Sequence, residues 1–112
     1  ENLEILNKGA PTRYDKSISD AGANVDFLLN KDGDFRIRTY ERGVENETLA
    51  CGTGVTASAI AASLWFGGDN IDIYTQIAKL NVRFQKENNT FRNVVLSGPA
   101  TRVFDGIFIF AK

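Results

Sequence analysis

The stretch Tyr40-Glu41-Arg42-Gly43-Val44-Glu45-Asn46-Glu47-Thr48-Leu49-Ala50-Cys51-Gly52-Thr53-Gly54 runs straight into Val55-Thr56-Ala57-Ser58-Ala59-Ile60-Ala61-Ala62-Ser63-Leu64-Trp65-Phe66. Its reading decides the fold. The second part is rich in alanine and too long for an ordinary strand, so it predicts a helix over Gly54 to Phe66. No charge appears on any of its faces, which predicts an enclosed helix rather than one lying on a surface. Gly67 and Gly68 stop it. The first part predicts a strand end, a loop across, and a thiol at the mouth of that helix.

Upstream, Asp34 to Arg42 alternates as a strand, with Phe35, Ile37 and Thr39 on one face and Arg36, Arg38, Tyr40 and Arg42 on the other. Glu41 falls on the inward parity, a local rule broken, and such breaks mark functional or strained places. Asn24 to Leu29 is a second strand, with Val25, Phe27 and Leu29 on one face. Asn30-Lys31-Asp32-Gly33 joins the two by a tight turn. A short helix over Asn2 to Lys8 is capped by Asn2, buries Leu3, Ile5 and Leu6 in part, and stops at Gly9. Gly9 to Gly22, with Pro11, reads as irregular. Downstream, strands are expected over Asn70 to Ile77, Lys79 to Gln85 and Phe91 to Leu96, with a turn at Asn88-Asn89 and a break at Gly98-Pro99. Two more follow, Thr101 to Asp105 and Ile107 to Ala111, around Gly106. One helix among many strands predicts an α+β domain, a strongly curved and mostly antiparallel sheet wrapped around a central buried helix.

Composition bounds the function. The 112 residues make one domain. Thirteen basic against fourteen acidic residues, with no long run of either sign, give no electrostatic footprint for nucleic acid or an anionic membrane. No apolar run reaches the roughly 18–20 residues that span a bilayer. The first residue is Glu, and the chain reads as cut from something longer. One cysteine cannot close an internal disulfide, which fits a reducing compartment, the cytoplasm. The absence of histidine removes Ser-His-Asp and Cys-His arrangements and most zinc sites. Chemistry here runs on a thiol, carboxylates or backbone dipoles.

A lone cysteine is most often a small buried hydrophobe. Cys51, however, precedes Gly52-Thr53-Gly54 at a helix start, where free N–H groups and the positive end of the macrodipole favour a thiolate or hold a carboxylate. Both readings stay open on these residues alone. A phosphate-binding loop lacks the lysine its motif requires. Glu41 and Arg42 are either a solvated pair at a strand end or a grip on an amino acid, Glu41 taking an ammonium and Arg42 a carboxylate by its planar fork. Asn24 is a turn residue or a ligand-binding amide.

Four segments together carry a resemblance: Gly22-Ala23-Asn24-Val25-Asp26-Phe27, Tyr40-Glu41-Arg42-Gly43, Glu47-Thr48-Leu49-Ala50-Cys51-Gly52-Thr53-Gly54, and Gly98-Pro99-Ala100-Thr101-Arg102-Val103-Phe104-Asp105-Gly106. The chain resembles the C-terminal half of diaminopimelate epimerase from Gly22 onward. The resemblance implies a cofactor-independent, pyridoxal-phosphate-free and metal-free isomerase that interconverts LL- and meso-diaminopimelate for lysine and peptidoglycan precursors. Two cysteines, one from each half, stand on opposite faces of the α-carbon, and Cys51 matches the second. Gly52 and Thr53 match backbone donors to the substrate carboxylate; Asn24, Glu41 and Arg42 match substrate-binding positions.

The first half, with its Cys-Gly-Asn-Gly-type loop, and the Gly-Asn-Pro-His-type substrate segment do not occur in these 112 residues. The resemblance therefore implies that the chain is inactive alone and that its partner is the missing N-terminal half. Residues 106–112 would cross to that half, so that Ile107, Phe108, Ile109 and Phe110 are left exposed and favour self-association, for instance a homodimer. Two rival readings remain: a related isomerase of the proline-racemase or phenazine-biosynthesis type, and an amino-acid-binding domain without turnover.

Overall fold

The computed structural model describes residues 4–111. Along them run α1 (Ile5–Arg13), β1 (Val25–Lys31), β2 (Asp34–Glu41), β3 (Asn46–Thr48), α2 (Gly52–Phe66), β4 (Asn70–Tyr74), β5 (Lys79–Glu87) and β6 (Thr90–Ser97). The strands form one open sheet in the order β1-β2-β4-β5-β6, with β3 on the remaining stretch of the β2 edge. β2 pairs in parallel with β4 at Phe35 and Arg36, and the other pairings are antiparallel. The fold class is α+β with a mostly antiparallel sheet, as expected.

Turn chemistry sets the two hairpins. Asp32 and Gly33 both take positive φ (54° and 93°), which lets Lys31 pair with Asp34 across a two-residue turn. Asn88 and Asn89 do the same (46° and 66°) between Glu87 and Thr90.

The core lies between the sheet and α2. Phe35, Ile37, Ile71, Ile73, Val82 and Phe84 meet Val55, Ala59 and Ala62. The buried positions of α2 are Gly54, Val55, Ser58, Ala59, Ala62 and Ser63, one face of the helix. Its small side chains let the helix lie close on the strands. Ser63 Oγ donates to the Gly68 carbonyl at 2.5 Å, and Gly67, at φ 87°, closes the end.

Several expectations are corrected. α2 is enclosed on one face only, and Leu64, Trp65 and Phe66 at its C-terminal end are exposed. α1 does not stop at Gly9; it runs on through Pro11 to Arg13. Gly9 is there for contact: a Cβ on it would sit 2.6 Å from the Tyr40 Cβ. The expected cap Asn2 and Leu3 lie outside the described residues. Ile5 is buried, whereas Leu6 is exposed. In β1 the parity is reversed. Register pairs Leu28 with Ile37 and Asp26 with Thr39, so these face α2, while Val25, Phe27 and Leu29 pair with Tyr40, Arg38 and Arg36 on the other side. β3 was not expected.

Thr101 to Asp105 and Ile107 to Ala111 are not strands; 98–111 has no regular structure, because no described strand lies alongside to pair with it. Ile107, Phe108, Ile109 and Phe110 are exposed there, and Lys112 lies outside the described residues. The radius of gyration, 16.4 Å, exceeds the about 13 Å of a compact chain of this length, as that segment requires. Among the described residues no helix is long and apolar enough to cross a membrane.

Candidate active site

Cys51 is the residue before the first turn of α2, in an extended conformation (φ −137°, ψ 114°). The first intrahelical bond runs from the Val55 N–H to the Cys51 carbonyl at 2.9 Å. The N–H groups of Gly52, Thr53 and Gly54 find no acceptor among the described residues. Three free donors beside a half-buried sulfur are the physical content of this helix start.

Two side chains reach the sulfur. Thr53 Oγ1 lies 3.3 Å from Cys51 Sγ, and Asn24 Nδ2 lies 3.9 Å from it. Asn24 is itself fixed, since its Oδ1 accepts the Arg42 N–H at 2.8 Å. The residue before β1 thus ties the loop after β2 to the thiol. The Arg42 guanidinium turns toward the Gly22 carbonyl at 3.4 Å, so in this conformation it serves the loop and is not aimed at the sulfur. Glu41 ends β2 on the face toward α2, half-buried, as its parity predicts.

A brace that sequence reasoning missed holds the 41–45 loop. Glu45, at φ 58°, accepts from Arg13 (2.7 Å), from the Tyr14 hydroxyl (2.5 Å) and from the Gly43 N–H (2.9 Å). The Tyr14 hydrogen bond, then the Gly43 N–H and Arg13, hold its carboxyl down at about 2. α1 therefore fastens the loop that carries Arg42.

Asp26 was also missed, because the reversed parity of β1 had turned it outward. It sits on the α2 face, accepts from Thr39 Oγ1 at 2.6 Å, and packs on Gly54. Burial pushes its carboxyl up, the Thr39 hydrogen bond pulls it down, and Glu41 adds to the rise. Its signal in the sequence was the absence of a side chain at Gly54, which faces it. Among the described residues no group of three His, Cys, Asp and Glu side chains could hold a metal ion.

No family model matches the chain. Curated relatives do. The chain is 48% identical over 107 residues to the diaminopimelate epimerase of Flavobacterium psychrophilum, covering 93% of this chain and 42% of that protein. It is 44% identical over 113 residues to that of Hydrogenobaculum (98% and 39%) and 42% over 107 residues to that of Methanocella arvoryzae (94% and 36%). It thus spans about two fifths of the length of these relatives. Among solved structures, one from Clostridium difficile described as a phenazine biosynthesis PhzC/PhzF protein superposes with a TM-score of 0.53 over 74% of this chain and 29% of that one. At 22% identity that likeness concerns the fold alone. In sequence, over nearly all of its length, the chain resembles diaminopimelate epimerase, as the C-terminal half of one.

Proposed function

We propose that this chain supplies one acid/base thiol and the carboxylate grip of a diaminopimelate epimerase. The observation that carries the reading is the Cys51 sulfur at the start of α2, with the free N–H groups of Gly52, Thr53 and Gly54 beside it and Asn24 and Thr53 touching it. The α-proton of an amino acid is very weakly acidic. Removing it needs the developing negative charge on the carboxylate met by donors already in place, and three backbone N–H groups at a helix start meet that need without reorganising. Cys51 then takes the proton from, or returns it to, one face of the α-carbon. Arg42 grips the distal carboxylate after turning from Gly22, and Glu41 takes the distal ammonium.

Inversion needs a second acid/base group on the opposite face, and the sequence holds one cysteine. The second thiol comes from outside these 112 residues, so the chain alone does not epimerise. On this reading the reaction belongs to lysine and peptidoglycan-precursor biosynthesis in the cytoplasm.

Competition tests the grip. Diaminopimelate slows the alkylation of Cys51 by iodoacetamide when the chain is combined with the remaining part of a relative, and Arg42→Ala weakens that protection. Equal alkylation rates with and without diaminopimelate contradict the reading. Protection without any α-proton exchange supports the rival amino-acid-binding domain.

A further inference from the structure

We propose that Asp26 is a positioning residue for Cys51: its carboxyl, packed on Gly54 in the first turn of α2, sets the charge at the helix end that carries the thiol, so each group's ionisation depends on the other's. The inference rests on Cys51 being the acid/base group proposed above.

The contact is close and specific. A Cβ added to Gly54 would lie 2.6 and 2.8 Å from the two carboxylate oxygens of Asp26, so the carboxyl occupies the space a side chain would fill. Gly54 follows Cys51 by three residues, about 4.5 Å along the helix axis, well inside the distance over which salt screens a charge. The hydrogen bond from Thr39 Oγ1 holds the carboxyl there. Glu41 is the charged neighbour from β2 on this face, and α2 contributes Cys51 and no charged side chain. Arg38 is also on β2, but its register places it on the other side of the sheet, where Glu47 pairs with it.

The arrangement has a chemical use. A helix start by itself drives a thiol toward thiolate, and a thiolate held too firmly is a poor base. An ionised Asp26 offsets part of that positive end. Burial, which pushes the Asp26 carboxyl up, agrees with a group whose charge is costly at this place.

Two measurements on the chain itself test this. The pH dependence of Cys51 alkylation by iodoacetamide is compared in wild type and Asp26→Asn, which keeps the acceptor for Thr39. The midpoint is expected to fall by about half a unit or more in the variant. In the second, no substitution is needed. Cys51 is capped with iodoacetamide, leaving no charge, or with iodoacetate, leaving one negative charge, and the Asp26 carboxyl carbon is titrated by NMR. Its midpoint is expected to be higher under the charged cap, because coupling is reciprocal. An unchanged alkylation midpoint in a folded Asp26→Asn, or equal Asp26 midpoints under the two caps, overturns the proposal. The second comparison decides if Asp26→Asn does not fold. Neither readout uses diaminopimelate, so a failure here removes the coupling and leaves the acid/base reading of Cys51 to its own test.

Discussion

The amide of Asn24 faces the Cys51 sulfur at 3.9 Å while its oxygen accepts the Arg42 N–H at 2.8 Å. One side chain therefore fixes the thiol and the loop that carries Arg42 relative to each other. Asn24→Ala is expected to lower stability by about 1 kcal/mol, the net worth of one hydrogen bond, and to change the alkylation rate of Cys51. Thermal unfolding and iodoacetamide kinetics measure the two. An unchanged rate would show that Asn24 serves the loop alone.

The brace at Glu45 predicts an acid-sensitive contribution. Its carboxyl is held at about 2 in the folded chain, below its ordinary 4.5. Because the folded value is depressed, the stabilisation is fully present above about 4.5 and is lost as pH falls toward 2. Glu45→Gln is expected to unfold more readily than wild type at pH 6, with the gap much smaller, though not closed, at pH 2.5. Denaturant unfolding at the two pH values checks this. A gap that does not depend on pH would refute the charge as its source.

Gly9 separates two kinds of helix glycine. Where a helical glycine faces water, Gly→Ala stabilises by about 1 kcal/mol. Here the new Cβ would meet Tyr40 at 2.6 Å, and overpacking of that kind costs about 1–3 kcal/mol. Gly9→Ala is expected to lower the melting temperature, and a rise would mean that α1 does not dock on Tyr40 as described.

Ile73 is fully buried between the sheet and α2. Ile73→Ala is expected to cost about 2–5 kcal/mol. The exposed Ile77→Ala serves as its control and is expected to change stability by less than about 0.5 kcal/mol. Equal effects in urea unfolding would place the core elsewhere.

Much of the fold was legible. Asp32-Gly33 and Asn88-Asn89 announced their turns because few other pairs tolerate positive φ twice in succession. The alternation of Phe35, Ile37 and Thr39 gave the buried face of β2, since a single face of that strand is apolar. Phe27-Leu28-Leu29 is apolar on both faces, so its own pattern could not choose between them, and the choice fell to register with β2. That error hid Asp26. The course of α1 was hidden for a related reason: Gly9 reads as a stop unless Tyr40 is known to lie against it. For the site, Cys51 and the donors after it were legible from local physics, whereas Asn24 owes its place to a partner 27 residues away. Ile107 to Phe110 is a short continuous apolar run that reads as a strand, but a strand requires a neighbour, which the composition of one segment does not report.

The most direct test of the central claim is α-proton exchange of LL-diaminopimelate in D2O followed by NMR. The chain is measured alone, and combined with the remaining part of the Flavobacterium psychrophilum relative, in wild type and in Cys51→Ala. We predict little or no exchange from the chain alone, exchange with inversion from the combination, and loss of inversion with Cys51→Ala. Inversion that survives Cys51→Ala would contradict the account, because the proton would then be moving through a group other than this thiol.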